Sequence, residues 1–193
     1  KAQLERGQRA VEVLKQRESS PLTLGQEITI LFALAKGHLD DVEISKVGLF
    51  EESMHRLGIT KIDILHIHDV DYFTHKEKNL VEKYFKESIE GTYKALEELR
   101  QNGIISAIGI GINEHEMAQR FINEVDIDCV MLAGRYTLLE QNSLKDFFPL
   151  CKKKQIDVIL AAPFNSGILA GGIENLNWNY KKASNEIISK VRN

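Results

Sequence analysis

The hydrophobic positions of this chain follow two different patterns, and one replaces the other near residue 58. Before that point, apolar residues such as Val11 and Leu14 recur at helical spacing, which predicts amphipathic helices. After it, short runs rich in β-branched residues alternate with amphipathic stretches, as in parallel βαβ units. The pattern therefore predicts an all-helical segment over residues 1–57 and an α/β domain over residues 58–193.

Four apolar runs predict the strands of the α/β domain. The predicted strands are residues 62–68, 105–110, 127–132 and 157–162. The predicted helices are residues 87–101, 114–123, 143–154 and 180–192. The connection over residues 69–86 is long for a βα unit, and long loops after a strand are usually functional or disordered. The four βα units predict a parallel α/β sheet.

The first predicted strand ends in two histidines, His66 and His68, and its apolar character predicts burial on both faces. Because side chains alternate, both imidazoles lie on one face, at the strand end where α/β proteins place their chemistry. Three interpretations stay open: hydrogen-bonded structural histidines, a metal-binding pair, or a histidine that contacts a substrate oxygen. The metal interpretation needs further ligands, and only His115, Glu114 and Asp128 are candidates.

Two glycine-containing stretches follow later strands. Residues 108–114 include Gly109 and Gly111 but lack the third glycine of a dinucleotide-binding turn, so we expect these glycines to allow close packing. Asn113 is then expected to cap the following helix. Residues 163–172 have no Gly-Lys-Ser/Thr ending, and form either a plain loop or a loop whose N–H groups contact phosphate.

Arg135 and Tyr136 follow the third predicted strand. They could supply a cation and an aromatic face near a phosphate-binding loop. An exposed pair at the start of a helix is the equally weighted alternative. The pattern alone does not decide between the two interpretations.

Composition and charge exclude several classes of partner. The 193 residues carry a formal charge of −3, with 43% hydrophobic and 27% charged residues, the balance of an ordinary soluble globular protein. No basic block and no membrane-length apolar run is present, so we predict neither nucleic-acid binding nor membrane insertion. Cys129 and Cys151 lack metal-site spacing and predict reduced thiols in the cytoplasm. A start at Lys1, without Met or a signal peptide, suggests that a longer protein was cut.

A series of short motifs runs in order through the second part of the chain. They occupy residues 50–53, 56–58, 62–69, 95–100, 107–113, 132–139 and 163–169. Together they resemble the aldo-keto reductase family, in its branch of L-galactose and pyridoxal dehydrogenases. The resemblance implies a TIM barrel that uses NADP or NAD to interconvert the carbonyl and alcohol forms of a sugar or small aldehyde. The four predicted βα units would form about half of that barrel, so the predicted fold is a partial TIM-barrel-like parallel sheet.

The same resemblance implies roles for individual residues. His68 would be the active-site histidine that orients the substrate carbonyl. Asn113 would contact the nicotinamide carboxamide, and Tyr136 would stack on the nicotinamide ring. The residues beside the cofactor pyrophosphate would be Ser166, Gly167 and Leu169. No metal ligand is implied.

Two departures from the family pattern predict an impaired or inactive enzyme. The family's catalytic tyrosine and its partner aspartate lie upstream of the motif at residues 50–53, and no equivalent occurs here. The last strand, and the basic residues that grip the adenosine end, are missing after Asn193. A half barrel also leaves sheet edges that need covering. The helices of residues 1–57, or a second copy in a homodimer, could cover them.

The first fifty residues resemble a different protein. Residues 2–9, 13–16, 20–22 and 37–42 are similar to the carboxyl-terminal helical domain of the ATP synthase alpha subunit, which implies a packing role. The most economical account is a chimera, or recombined fragment, joined near Phe50. The alternatives are a structural or interaction fragment that docks on a larger assembly, and a metal-dependent TIM-barrel hydrolase.

Overall fold

The computed structural model describes residues 62–171 and 177–192. The predicted helical segment over residues 1–57 lies outside them. The chain divides into two compact units, Lys1–Asp63 with Gln101–Ser106, and Ile64–Arg100 with Ala107–Asn193. In the first unit the N–H of Ser106 donates a hydrogen bond to the carbonyl of Asp63, at 2.8 Å.

A parallel four-stranded sheet organises the second unit. Its strands lie side by side in chain order, and they are β1 (Ile64–His68), β2 (Ala107–Ile112), β3 (Cys129–Ala133) and β4 (Asp157–Ala161). Helices connect successive strands, as parallel pairing requires. The predicted fold class, a partial TIM-barrel-like sheet with alternating helices, is therefore confirmed. Three of the strands begin two residues later than predicted.

The two faces of the sheet differ in chemistry. One face, the buried face, carries branched side chains that are at most 5% exposed, namely Ile67, Ile108, Ile110, Val130 and Leu132. The other, the histidine face, carries His66 and His68 in register with glycines of the neighbouring strand: His66 pairs with Gly109, and His68 pairs with Gly111. Each histidine therefore lies beside a position without a side chain, in rows that cross the strands as in a barrel interior.

The predicted long loop after β1 is mostly helical, so that prediction is wrong. A short helix α1 (Tyr72–His75) is followed by α2 (Lys78–Glu87), a π-helical turn (Ser88–Thr92) and α3 (Tyr93–Gln101). Helix α2 forms because its apolar residues recur at helical spacing, and two of them, Val81 and Phe85, are buried. The ring of Phe85 meets that of Phe121 edge to face, with centroids 4.7 Å apart.

The remaining helices are α4 (His115–Glu124), α5 (Phe147–Lys154) and α6 (Asn185–Arg192). A short 3₁₀ turn, Asn142–Leu144, precedes α5 and occupies the predicted start of that helix. The predicted last helix starts too early, because residues 177–182 form an antiparallel hairpin of β5 (Asn177–Trp178) and β6 (Lys181–Lys182). Its two turn residues both have positive φ, as a two-residue type I′ turn requires. No described helix is long and apolar enough to cross a membrane.

The outer strands are only partly covered, which corrects the prediction that β1 is buried on both faces. In β1 only Ile67 is buried, while Ile64 is 41% exposed. On β4, Ile159 and Leu160 are 37% and 40% exposed, and because they are adjacent they face opposite sides of the sheet. These exposed positions all belong to β1 and β4, the first and last strands of the sheet.

Candidate active site

His68 ends β1 and stands at the carboxyl edge of the sheet. Its side chain is 65% exposed, and its Nδ1 lies 3.2 Å from a carboxylate oxygen of Asp69. The ring also lies over Gly111, where a Cβ would come within 2.5 Å of the imidazole Cδ2. The glycine thus makes room for the imidazole, as predicted for close packing, and Asp69 favours the tautomer that carries its proton on Nδ1.

His66 lies one layer deeper and has different surroundings. A Cβ at Gly109 would come within 2.5 Å of its ring, and its Nε2 is 3.8 Å from the Sγ of Cys129. Burial, and the nearby His68, lower the pKa of His66, which keeps the ring neutral near pH 7. Burial also raises the pKa of the Cys129 thiol. These are features of a packed pair, and they fit the structural interpretation of His66.

Asp71 is a fully buried carboxylate just beyond the strand end, with no exposed surface. One oxygen accepts the N–H of Thr74 at 2.8 Å and thereby caps α1. The other accepts the backbone N–H of Asn113 at 2.7 Å and the side-chain Nδ2 of Asn113 at 3.1 Å. Burial alone raises the pKa of Asp71, but the hydrogen bonds from Thr74 and Asn113 outweigh it, so the pKa lies below its ordinary value.

Asn113 does not cap helix α4, which corrects the prediction made from the sequence. The N-cap residue is Glu114, and its side chain instead accepts the N–H of Tyr72 at 2.8 Å. The side chain of Asn113 points across to the β1 end, where Nδ2 also reaches Asp69 at 3.4 Å. Asn113 therefore links the end of β2 to the end of β1 and does not serve as a helix cap.

Arg135 holds the other side of Asn113. Its Nε donates to the carbonyl of Asn113 at 2.7 Å, and its NH1 pairs with Glu140 at 2.8 Å. The guanidinium is 18% exposed, and the buried hydroxyl of Ser143 donates to the Arg135 carbonyl at 2.7 Å. Arg135 is thus a half-buried cation held between Asn113 and Glu140, and it does not start a helix, so the interpretation as an exposed helix start is wrong.

The loop after β4 contains a cluster of left-handed residues. Ala162, Asn165 and Ser166 have φ values of 50°, 45° and 60°, and Gly167 has 94°. The N–H groups of Gly167 and Leu169 both donate to the carbonyl of Phe164, at 3.0 and 3.2 Å. The loop is therefore closed on its own backbone.

Asn165 is 2% exposed, and its Nδ2 donates to the carbonyl of Gly134 at 3.3 Å. Its Oδ1 is buried without a donor. A buried oxygen that lacks a donor costs free energy, so each one calls for an explanation. Asn165 is accordingly the strongest candidate in this loop for a contact with a ligand.

These residues share a narrow crevice at the carboxyl end of the sheet. Its lining is formed by Asn113, Arg135, Asn165, Ser166, Asn179 and Tyr180, with Ala133, Gly134 and Ala162. Three predicted site residues are therefore placed at or beside it: Asn113 and Ser166 line it, and His68 connects to Asn113 through Asp69. Tyr136 is not among the lining residues, and its ring packs edge to face on Phe148 with centroids 4.9 Å apart.

Sequence reasoning missed Asp71, Arg135 as the partner of Asn113, and the hairpin turn at Asn179–Tyr180. The N–H of Tyr180 donates to the Ser166 hydroxyl at 3.1 Å. A signal for Asp71 exists, because an aspartate three residues before Thr74 is an ordinary N-cap pattern. Among the described residues no group of three or more His, Cys, Asp and Glu side chains is arranged to hold a metal ion.

A parallel α/β sheet with a polar crevice at its carboxyl edge defines a barrel-type protein whose site lies where such folds place theirs. Residues 46–187 match the profile of the Aldo/keto reductase family. The chain belongs to that family. The resemblance stated from its motifs is confirmed.

Two similar proteins are dehydrogenases. Pyridoxal 4-dehydrogenase of Microbacterium luteolum is 40% identical over 146 residues, which is 74% of this chain and 42% of that protein. D-threo-aldose 1-dehydrogenase of a Pseudomonas species is 37% identical over 119 residues, which is 62% of this chain and 33% of that protein. The chain thus spans less than half the length of these relatives.

A separate segment has a different relative. ATP synthase subunit alpha of Macrococcus caseolyticus (strain JCSC5402) is 56% identical over 52 residues, which is 27% of this chain and 10% of that subunit. The same subunit of Helicobacter pylori (strain Shi470) is 56% identical over 55 residues, which is 28% of this chain and 11% of that subunit. The predicted resemblance of residues 1–50 is therefore confirmed.

Proposed function

We propose that this chain carries part of the cofactor and substrate site of an NAD(P)-dependent oxidoreductase that acts on a sugar or small aldehyde. One observation carries the proposal. Asn113 lines a crevice with Arg135, Asn165 and Ser166 at the carboxyl edge of a parallel sheet, in a chain of the aldo-keto reductase family. The pyridoxal and aldose dehydrogenases similar to this chain support the substrate class.

The crevice offers hydrogen-bond acceptors that suit a carboxamide ligand, and it must widen to admit one, because its free volume is only about 10 Å³. The Oδ1 of Asn165 is buried without a donor. The amide nitrogen of Asn113 is engaged by Asp71 and Asp69, so its Oδ1 is the group left to face a ligand. A nicotinamide carboxamide would supply the missing N–H donors, and the bound dinucleotide would supply or accept the hydride.

His68 is the proposed residue that orients the substrate. With its Nδ1 proton directed to Asp69, its Nε2 can accept a hydrogen bond from an alcohol, and after protonation it can donate to a carbonyl oxygen. The 65% exposure of the side chain leaves space for a ligand beside it. Tyr136, steadied by Phe148, is the proposed stacking partner of the nicotinamide ring.

Ser166, Gly167 and Leu169 are the proposed pyrophosphate contacts. The N–H groups of Gly167 and Leu169 donate to the carbonyl of Phe164. Direct contact with phosphate therefore requires both groups to exchange that carbonyl for phosphate oxygens. This exchange predicts that the loop rearranges when a dinucleotide binds.

We infer that turnover by the 193-residue chain is weak or absent. The tyrosine that acts as the general acid in this family has no counterpart among the motifs, and such an acid contributes about a hundredfold to ten-thousandfold in rate. His68 and Asn113 would still bind and orient ligands. NADPH or NADH oxidation with aldehydes, or the reverse reaction with sugars, measures this directly, and ordinary enzyme rates would refute the inference.

We also propose a helical unit over residues 1–57, a partial barrel over residues 58–193, and a chimeric origin joined near Phe50, in a cytoplasmic protein. The two buried free thiols, Cys129 and Cys151, support a reducing compartment. A second copy that covers β1 and β4 in a homodimer is supported by the exposed Ile64, Ile159 and Leu160. Sedimentation that finds a stable monomer at high concentration would contradict the homodimer.

A second candidate function is a structural fragment that docks on a larger assembly, which the ATP synthase alpha resemblance favours. Nucleotide binding separates the two functions. Trp178 is the single tryptophan and lies one residue before Asn179 of the crevice. NAD(P) that quenches its fluorescence and raises the melting temperature supports the oxidoreductase. No response to either dinucleotide supports the structural fragment.

A further inference from the structure

The buried carboxylate of Asp71 does more than cap a helix. Helix α1 has only four residues, and its cap uses one oxygen of Asp71, through the Thr74 N–H. The second oxygen accepts both the backbone N–H and the side-chain Nδ2 of Asn113. An ionised carboxylate accepts hydrogen bonds and cannot donate them. Asp71 therefore selects the NH₂ end of the Asn113 carboxamide, and the oxygen end points away from it.

We propose that Asp71 is a positioning residue that fixes the carboxamide of Asn113 with its oxygen toward the crevice, so that the site recognises a ligand that donates N–H groups. This inference rests on the proposed function and deepens it. Asp71 contacts Asn113 and has no exposed surface, so it acts through Asn113 without touching the ligand.

Two further contacts, with Asp69 and Arg135, restrict Asn113 to this orientation. Asp69 provides a second carboxylate on the Nδ2 side, at 3.4 Å, and a flipped amide would place Oδ1 against both carboxylates. The backbone is held from both sides, by Asp71 on the N–H and by Arg135 Nε on the carbonyl at 2.7 Å. The low pKa of Asp71 keeps the carboxylate ionised at neutral pH.

The test compares two ligands that share the adenosine and pyrophosphate but differ in the nicotinamide. NAD(P)⁺ carries the carboxamide, and the matching ADP-ribose, or its 2′-phosphate, lacks it. In Asp71→Asn, which can let Asn113 flip, we expect NAD(P)⁺ affinity to fall about fivefold, the loss of roughly one neutral hydrogen bond. ADP-ribose affinity should change less than about twofold, and this ligand controls for the lost negative charge.

Two further variants isolate the positioning role. In an Asn113→Ala background the Asp71→Asn change should no longer alter the ratio of the two affinities, because the two residues act as one unit. The matched control is Asp146→Asn, which removes a capping carboxylate of α5 away from the crevice and should leave both affinities unchanged. If Asp71→Asn does not fold, Asp71→Ser is used in its place, because serine keeps an N-cap acceptor for the Thr74 N–H.

Nuclear magnetic resonance reads the orientation without a ligand. In the 193-residue chain, the side-chain NH₂ signals of Asn113, assigned by their loss in Asn113→Ala, should shift upfield in Asp71→Asn and stay in place in Asp146→Asn. Unchanged signals, or a parallel change in both ligand affinities, would overturn the positioning role. If the unaltered chain binds neither ligand, the proposed function fails, and the NH₂ signals alone then decide whether Asp71 orients Asn113.

Discussion

Strand β2 is held at each end by a carboxylate that accepts a backbone N–H at 2.7 Å, but the two ends serve different purposes. At the amino end, Asp128 accepts the N–H of Ile108 and pairs with Arg100, also at 2.7 Å. At the carboxyl end, Asp71 accepts the N–H of Asn113. The carboxylate at the amino end is thus paired with a cation, whereas the carboxylate at the carboxyl end is buried and holds Asn113, which lines the crevice.

The amino end is saturated with opposite charges. Besides Asp128, the guanidinium of Arg100 contacts Glu97 at 2.5 Å and Asp126 at 3.0 Å, and it is 17% exposed. Burial lowers the pKa of Arg100, but the hydrogen bonds that it donates to Asp128 and Glu97 more than offset this effect, and the net pKa is raised. Such a network stabilises β2, because the guanidinium is shared among three carboxylates. The proposed binding function belongs to the carboxyl end, where Asn113 lines the crevice.

Arg100→Met should have the largest effect on stability, because it leaves three carboxylates without their shared cation. We expect a loss of about 3 kcal/mol in the free energy of unfolding, measured by urea denaturation. Dinucleotide affinity of the folded fraction should stay the same. The control is Lys83→Met, whose exposed pair with Glu87 at 3.8 Å is worth under about 0.5 kcal/mol. Equal effects of the two changes would show that the Arg100 network is not stabilising.

Gly109→Ala and Gly111→Ala compare the deeper and the outer layer of the histidine face. The new Cβ at Gly109 meets the His66 ring at 2.5 Å and the Cys129 Sγ at 2.9 Å, and both neighbours are packed. The expected cost is about 2 kcal/mol by urea denaturation. At Gly111 the Cβ meets only His68, which can swing outward, so the cost should be under about 1 kcal/mol.

Gly91→Ala is the control for both changes, because nothing lies within 4 Å of its added Cβ. It should alter the free energy of unfolding by less than about 1 kcal/mol, and the change should be favourable in a helical backbone. A larger loss at Gly111 than at Gly109 would contradict the assignment of a rigid inner layer and an adjustable outer one.

Acid stability should depend on Asp71. Its pKa in the folded chain lies below the ordinary value of 3.8, so the unfolded chain binds the proton more tightly. The stabilisation is therefore present above about pH 4 and is lost as the pH falls through the lower, folded pKa. In Asp71→Asn this part of the acid-induced loss of stability should disappear. At neutral pH the free energy of unfolding should be lower by about 1 kcal/mol than in the unaltered chain. An unaltered pH profile would contradict the role of the buried carboxylate.

His66 should make the smallest contribution to the pH dependence of stability. As with Asp71, acid should lower the stability. Its pKa is lowered by burial from the ordinary 6.5, so protonation favours the unfolded chain. Stability should therefore decline as the pH falls below about 6.5, and His66→Gln should flatten that slope in thermal unfolding measured from pH 7.5 to 5. A slope that survives the substitution would assign the effect to another group.

The alternating patterns were sufficient to predict parallel βαβ units, whereas the partial barrel was implied by the family resemblance, because alternation alone does not fix the order of the strands. The strand starts were placed too early, since Ile105 and Ile127 are buried, at 2% and 4% exposure, without belonging to the ladder. A hydrophobic pattern indicates which residues are buried, but it does not indicate which of them form the hydrogen bonds of a strand pair.

The candidate site was predicted only in part, because its contacts join residues that are distant in the sequence. Asn113 and Asp71 are 42 residues apart, and Arg135 reaches Asn113 across 22. A local rule placed Asn113 at a helix cap, where tertiary partners outcompeted it. The hairpin turn was missed because Asn179 and Tyr180 adopt positive φ without glycine.

Backbone amide mapping by nuclear magnetic resonance tests the central claim most directly. NADP⁺ and NAD⁺ are titrated in turn into the ¹⁵N-labelled 193-residue chain, and the shifts are compared between the two ends of β2. We predict saturable shifts at Asn113, Arg135 and Ser166, with no shift at Ile108 and Arg100. No saturable shift with either dinucleotide, or shifts confined to the amino end, would contradict it.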